Sequence, residues 1–336
     1  MLNTTDNVTK AKQNENRMKE HHMENDKGTD TETESEPTTS IDNEISFSPI
    51  TPITNSNINK AVAQWCLERE YALSKYGSIE EWDTSGVTRT KDLFMDMTEF
   101  NDDISRWDMS NVTNMCGMFN NAKAFNQRIG KWNVSKARNV GGMFCDATSF
   151  NQYIGDWDVS HVKYFDYMFS GASAFNQNIA EWDVSNALTT GCMFYKATAF
   201  NQELGDWNVS KVTDMNCMFY KATSFDQYIG RWDVVNVTNM YGMFHQAGSF
   251  GQDIANWDVS NVTNFKQMFD HASSFNEDLV RGWDVSSVTK MSCMLNIRKV
   301  KHKSSSQAVV APADVCIVSK SSSSSLLPRP LCCTIS

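Results

Sequence analysis

The sequence predicts an α/β repeat solenoid, and three features of the chain support this fold class. First, tryptophans recur at an interval of 25 residues, lengthened once to 26, at Trp82, Trp107, Trp132, Trp157, Trp182, Trp207, Trp232, Trp257 and Trp283. Second, each tryptophan opens a similar stretch of sequence, which gives eight full repeats and a partial ninth over 82–295. Third, no proline lies between Ile53 and Ala311. Self-similarity at a fixed period of roughly 20–50 residues is typical of solenoids.

The pattern inside one repeat predicts two elements. Apolar and polar residues alternate around Ile129, Trp132 and Val134, as in a strand with one buried face. A second apolar set recurs every three or four positions, which is typical of a helix: Val112, Met115, Met118, Phe119 and Ala122. The 25-residue period lies in the leucine-rich-repeat range. We therefore expect a leucine-rich-repeat-like right-handed stack, with one parallel sheet of short strands and short helical segments on the other face.

Charge and composition divide the chain into four parts. Residues 1–50 carry 5 Lys and Arg against 11 Asp and Glu, and a polar segment of this kind buries too little apolar surface to offset its ordering entropy. We expect a disordered acidic tail over 1–56, an N-terminal capping helix and lead-in over 57–81, and the solenoid over 82–295. The segment 296–336 has 6 basic residues, one acid and two serine runs, so a disordered basic tail is expected there.

The predicted cap is a helix over 57–76. Its apolar residues lie broadly on one face, and a glycine at 77 is placed to end it. These apolar residues are Ile58, Val62, Trp65, Leu73 and Tyr76. A solenoid needs its end repeats covered, and we expect this helix to replace part of a missing repeat.

The overall composition excludes two classes of partner. The net charge is −10, from 30 Lys and Arg against 40 Asp and Glu, which argues against nucleic acid. Apolar runs are only a few residues long, so no transmembrane segment is expected. No apolar region typical of a signal peptide is visible in the first 30 residues, which favours a cytoplasmic location.

The repeat resembles that of a known family. The unit Phe-Asn-Gln-x-Ile-x-x-Trp-Asp-Val-Ser-Asn-Val-Thr-Asn-Met-x-x-Met-Phe is similar to the repeat of the BspA-like leucine-rich-repeat surface proteins, long catalogued as a domain of unknown function. The lead-in from Ala61 to Ile79 is similar to the segment before such repeats, so the resemblance covers about 57–295. It implies a solenoid used for protein binding or adhesion, without catalysis, in proteins that are mostly secreted or on the surface. The location of this chain therefore stays open.

The residue after each tryptophan is short and polar, and it allows two interpretations. Stacked carboxylates could bind Ca²⁺, which prefers several oxygen ligands. Asn replaces Asp twice, however, and a short side chain that accepts a hydrogen bond from the following turn explains both residue types. We favour this structural ladder, formed by Asp83, Asp108, Asn133, Asp158, Asp183, Asn208, Asp233, Asp258 and Asp284.

The cysteines and histidines show no catalytic pattern. Cys192 and Cys217 share one repeat position, so a disulfide is conceivable in an oxidising compartment, but we favour reduced thiols that fill core space. His161, His245 and His271 each occupy a different offset. No nucleophile pairs with a base, and no cysteine joins a histidine at metal-binding spacing. We expect no catalytic residue, no metal and no cofactor.

The last four residues, Cys333 to Ser336, match a prenylation motif, and Cys332 could take a second lipid. Two lipids would suffice for stable membrane attachment. The alternative is a chance ending on a serine-rich tail. Membrane contact is expected only if these cysteines are lipidated.

Variable residues immediately before the tryptophans indicate a binding face. This pre-Trp row consists of Arg106, Lys131, Asp156, Glu181, Asp206, Arg231 and Asn256. Repeat proteins commonly bind partners through a long face of this kind, so we expect an unidentified protein or glycan ligand. The alternative is a purely structural spacer or scaffold without a partner at these positions. An enzyme is the least favoured interpretation.

Overall fold

The computed structural model describes residues 50–295, so most of the two predicted tails, and with them Cys332 and Cys333, lies outside the described residues. The disordered acidic tail was predicted to extend to residue 56, but residues 51–55 make ordered contacts. Ile53 is buried, and the amide of Thr51 donates to the carbonyl of Lys75 at 2.8 Å. Asn55 accepts a hydrogen bond from the amide of Thr88 at 2.9 Å. These contacts fasten the segment to the cap and to the first repeat.

The predicted cap consists of two helices, α1 (Ile58–Leu67) and α2 (Arg69–Tyr76). The backbone between them leaves helical geometry at Glu68, where φ is −136° and ψ is 56°. Leu73, predicted to be buried, is 44% exposed because the break interrupts the helical phase of α1. Gly77 ends α2 with φ of 75°, a left-handed conformation that glycine adopts without a steric penalty. A short 3₁₀ turn, Ile79–Glu81, then leads into the repeats.

One parallel β-bridge joins each repeat to the next. Every bridging residue lies seven positions after its tryptophan: Arg89, Asn114, Asn139, Tyr164, Thr189, Asp214, Asn239, Asn264 and Lys290. These are isolated bridges among the described residues, and they do not extend into strands. The strand expected around Ile129, Trp132 and Val134 is therefore absent there, and pairing occurs later in the repeat.

Turns replace the helical segment that the sequence predicted in each repeat. The amides of Met115, Gly117 and Phe119 donate to carbonyls of the next repeat at 2.8–2.9 Å. Of the amides between them, that of Met118 donates three residues back to the carbonyl of Met115, and that of Cys116 donates to the side chain of Asn114. Gly117 and Asn121 have φ of 64° and 58°. Both offsets are left-handed in the following six repeats, and the first of them is also left-handed at Cys293 in the partial last repeat. An α-helix needs negative φ and bonds to the fourth residue back. The neighbouring repeat competes for alternate amides and so prevents the helix.

The tryptophans stack through the interior of the repeats. Trp132, Trp157 and Trp182 are buried, and consecutive ring centroids lie 6.5 Å apart with interplanar angles of 5° and 2°. The Nε1 of Trp157 also donates to the carbonyl of Ile129 at 3.2 Å, and the equivalent bond recurs from Trp107 to Trp257. Each indole therefore links neighbouring repeats by both ring contact and hydrogen bonding.

Two columns of phenylalanines complete this core. The ring of Phe169 lies 5.7 Å from the rings of Phe144 and Phe194 in the adjacent repeats, and 3.9 Å from Phe175 in its own repeat. Burial of one such side chain contributes about 1.5–3 kcal/mol. Since most of the contacts cross from one repeat to the next, the stabilisation comes largely from neighbouring repeats.

The 26-residue interval before Trp283 changes one hydrogen bond. The extra residue falls in a segment that begins with the 3₁₀ turn Glu277–Val280. The buried Nε1 of Trp283 has no hydrogen-bond partner among residues 50–295, in contrast to the indoles before it. The insertion therefore shifts the ring out of register with the carbonyl that an unshifted repeat would offer.

Neither α1 nor α2 has the length and apolar character that a membrane crossing requires, and no other segment within 50–295 has them either.

Candidate functional site

All seven side chains of the pre-Trp row are exposed in the structure. Neighbouring members come close enough to interact, since Nη1 of Arg231 lies 3.2 Å from Oδ1 of Asp206. Both side chains of this ion pair are largely exposed, so the pair contributes little to stability. The row changes from basic at Arg106 and Lys131 to acidic over the next three members and basic again at Arg231. The exposed surface of the pre-Trp row therefore alternates between positive and negative charge along the repeats.

A second exposed row runs beside it, four residues before each tryptophan, and was not anticipated from the sequence. It consists of Asp103, Arg128, Tyr153, Asn178, Glu203, Tyr228 and Asp253. Tyr153 is 50% exposed and Tyr228 is 43% exposed. Tyrosine is enriched among the residues that dominate binding energy at protein interfaces. The signal that could have located the row is its variability at a fixed offset.

The two tyrosines are held against the pre-Trp row. The hydroxyl of Tyr153 donates to Oδ1 of Asp156 at 2.9 Å, and the guanidinium of Arg231 lies 5.9 Å from the ring centre of Tyr228. A glycine lies between each tyrosine and the member of the pre-Trp row that it contacts, and the missing side chain leaves space for the tyrosine ring. A Cβ added to Gly155 would lie 2.8 Å from the Tyr153 ring and 2.6 Å from the carbonyl of Asn178. Each tyrosine side chain therefore lies beside the residue of the pre-Trp row that follows it by three positions.

A polar groove of about 350 Å³ opens across three consecutive repeats near these rows. Its lining consists of Asn178, Asn201, Gln202, Glu203 and Gln227. Oδ1 of Asn201 accepts from Nε2 of Gln227 at 2.9 Å and from the amide of Asp226 at the same distance. Such bonds join this position to the next repeat along most of the chain, and they fix one wall of the groove.

The position after each tryptophan forms a local turn in every repeat. Oδ1 of the side chain accepts a hydrogen bond from the amide two residues later at 2.8–3.2 Å, in all nine members of the structural ladder. The hydroxyl and amide of Ser160 donate to Asp158 and lower the pKa of its carboxyl. Asn133 accepts the same bond from Ser135. The geometry accommodates Asp and Asn equally, and in each of these side chains Oδ1 accepts a hydrogen bond from the chain itself.

Four cysteines of the described residues, Cys116, Cys145, Cys192 and Cys217, are buried in the repeats. Cys192 and Cys217 are buried free thiols. The pKa of Cys192 is raised, mostly by a hydrogen bond with Cys217 and next by burial. Burial raises the pKa of Cys145 to about 12. The thiolate is the reactive form of cysteine. Because the raised pKa keeps Cys145 and Cys192 in the thiol form, these side chains are suited to filling core space.

One group of titratable residues was missed by the sequence analysis. His245, Asp270 and His271 come from two adjacent repeats, and the structure brings them together. The signal was the 25-residue spacing of His245 and Asp270, which places both at the same offset.

The sequence is similar to a family described as Mycoplasma protein of unknown function, DUF285, which matches residues 66–156, 140–222 and 201–307. The three overlapping matches follow one another in tandem and cover more than half of the chain. No curated protein matches the sequence.

Proposed function

Because the chain belongs to the DUF285 family of repeat proteins of unknown function, we propose that it is a non-catalytic binding protein of the leucine-rich-repeat solenoid class. Parallel bridges between all neighbouring repeats and continuous aromatic columns support the solenoid. The resemblance of the repeat to BspA-like surface proteins supports a role in adhesion or protein recognition.

The observation that carries this proposal is the contrast between buried and exposed positions. The tryptophan of every repeat is kept and buried, whereas the residue before it changes among Arg, Lys, Asp, Glu, Asn and Gly and is always exposed. A spacer gains nothing from such a patterned surface. A partner with acidic groups opposite Arg106 and Lys131 and basic groups opposite Asp156, Glu181 and Asp206 would match it.

The proposal has a direct test in charge reversal. We expect Arg106→Glu combined with Lys131→Glu to lose partners that the unaltered chain retains in a pull-down, because like charges would face each other across the interface. The matched control is Arg138→Glu combined with Lys163→Glu. This control also reverses one exposed arginine and one exposed lysine, but six residues after the tryptophan.

The readout is quantitative mass spectrometry of the retained proteins. Partners lost by the first variant and kept by the control support recognition through the pre-Trp row. If both variants retain the same proteins as the unaltered chain, the spacer alternative is favoured and recognition through this row is wrong.

A further inference from the structure

The cluster of His245, Asp270 and His271 places three side chains with metal-ligating atoms at one point. Nδ1 of His245 lies 3.3 Å from Oδ2 of Asp270, and Nδ1 of His271 lies 2.7 Å from Oδ1. One ligating atom from each residue falls within 4.8 Å of the others. The side chain of His245 is 6% exposed, that of Asp270 is 17% exposed, and that of His271 is 54% exposed. The cluster is buried on one side and open to solvent on the other.

The stacking of repeats explains how the cluster forms. His245 and Asp270 both lie 13 residues after their tryptophans, so the pairing of adjacent repeats sets one above the other. His271 follows with φ of 61°, one of the left-handed positions that recur in the repeats. Each oxygen of the carboxylate therefore faces a different imidazole.

One nitrogen of the buried His245 imidazole, Nδ1, lacks a hydrogen-bond partner among the described residues. Nδ1 of His245 is inaccessible to water and makes no hydrogen bond to any residue in 50–295, although Asp270 is near enough for an ion pair. Leaving a buried polar atom without a hydrogen bond destabilises the folded state. A cation held between His245 and Asp270 would use this lone pair.

The surroundings orient the His245 ring. Tyr220 stacks on it with ring centroids 4.4 Å apart, and Nε2 lies 2.9 Å from the side-chain amide of Gln246. Rotating that amide by half a turn presents its oxygen, which would accept a hydrogen bond from the Nε2–H group and leave the lone pair of Nδ1 free to ligate. The second ring nitrogen of a metal-bound histidine usually donates a hydrogen bond from its N–H group to such an acceptor.

We propose that His245, Asp270 and His271 bind a first-row divalent transition metal ion, with water in the remaining coordination positions. Two imidazoles and one carboxylate suit Zn²⁺, Co²⁺ or Ni²⁺, whereas Ca²⁺ and Mg²⁺ prefer oxygen ligands. The site joins two consecutive repeats, so the ion would link them.

The experiment measures Zn²⁺ binding to the full chain by isothermal titration calorimetry. His21, His22 and His302 lie outside the described residues, so all measurements use a chain in which these three are replaced by Gln. We expect one Zn²⁺ per chain, and a loss of affinity of at least about tenfold in His271→Gln, since removing even an indirect partner of a metal ligand typically costs that much. Gln246 occupies the equivalent position one repeat earlier with φ of 57°, so this substitution suits the backbone.

His161→Gln is the matched control, because His161 is an exposed histidine in another repeat. It should bind Zn²⁺ as the parent does. A second measurement, the visible spectrum of the Co²⁺-loaded chain, should show nitrogen coordination that His271→Gln alters. Equal Zn²⁺ affinity in His271→Gln and the parent, with unchanged circular dichroism, would overturn the proposal. A Co²⁺ spectrum identical to that of the hydrated ion would do the same.

Discussion

At the scale of single residues, the position after each tryptophan shows how one side chain sets a turn. Its side-chain oxygen accepts a hydrogen bond from the amide two residues later, whether the residue is Asp158 or Asn208. Negative charge is therefore dispensable there, and the hydrogen-bond acceptor is what the turn requires.

This leads to a prediction for Asp158. We expect Asp158→Asn to change the free energy of unfolding by less than about 0.5 kcal/mol, because the amide oxygen accepts the same bonds. Asp158→Ala should lower it by about 0.5–1.5 kcal/mol through loss of the acceptor. Urea denaturation followed by tryptophan fluorescence measures both changes.

The same position has a defined pH dependence. The bonds from Ser160 lower the pKa of Asp158, so its stabilising contribution is complete above the ordinary carboxyl pKa and is lost as pH falls through the lowered value. The stability gap between the parent and Asp158→Ala should narrow in acid, while the gap between Asp158→Asn and Asp158→Ala stays constant. A rise in melting temperature on addition of Ca²⁺, abolished in Asp158→Asn, would instead favour the calcium interpretation.

At the scale of elements, the cap is fastened to the first repeat by one charged cluster. The guanidinium of Arg69 donates two hydrogen bonds to Asp102 at 2.7 and 2.8 Å, and Nε1 of Trp65 donates a third at 3.0 Å. Arg69 also lies 4.5 Å over the Trp65 ring. The hydrogen bond from Arg69 lowers the pKa of Asp102 against the effect of its partial burial. The arrangement joins α1, α2 and the first repeat.

A double-mutant cycle tests this attachment. We expect Arg69→Ala and Asp102→Ala to show a coupling energy of about 1–2 kcal/mol, because two charged hydrogen bonds are lost together at a partly buried site. The pair Arg231 and Asp206 is the control, with side chains that are 71% and 86% exposed. Its coupling should stay below about 0.5 kcal/mol. Equal coupling energies in the two cycles would show that the cap is not held by this cluster.

The repeats show where element prediction from the sequence succeeds and fails. Spacing by three and four residues correctly identified Met115, Met118 and Phe119 as buried. It did not determine the backbone, since the same spacing also fits consecutive turns with left-handed residues at Gly117 and Asn121. Buried apolar periodicity reports which side chains face the core and leaves the hydrogen-bond partners of the amides open.

At the scale of the whole molecule, every internal repeat makes equivalent contacts with the repeats before and after it. The bridge between Thr189 and Asp214 follows the same rule as that between Asp214 and Asn239. Stability in such an array is approximately a sum of repeat and neighbour terms. Removing one whole unit should therefore preserve the pattern that remains.

Deletion of residues 183–207 tests this expectation. It joins Trp182 directly to Asn208 and keeps every offset, so we expect cooperative thermal unfolding and near-ultraviolet circular dichroism typical of stacked tryptophans. Deletion of residues 183–194 removes about half a repeat and places polar side chains opposite the aromatic columns. That variant should lose the cooperative transition. If both deletions fold equally well, contacts between neighbouring repeats are not what stabilises the chain.

The candidate surfaces were only partly predictable. The pre-Trp row could be read from variability at one offset, whereas the contribution of Tyr153 and Tyr228 depends on how far each ring extends from its repeat. The cluster of His245, Asp270 and His271 depends on contact across two repeats. Side chains that are distant in sequence acquire shared chemistry only when the stacking register is known.

The sequence by itself determined that this protein is built from tandem repeats, where each repeat begins and which apolar side chains of the repeats are buried, because a fixed period and an apolar pattern are properties of the chain alone. Only the tertiary structure decided that single bridges and left-handed turns form the repeat, and which polar groups meet between repeats. Each backbone amide donates to a carbonyl that lies close to it in the folded chain. Many of these carbonyls belong to a neighbouring repeat, and the sequence of a single repeat does not reveal which ones will be close.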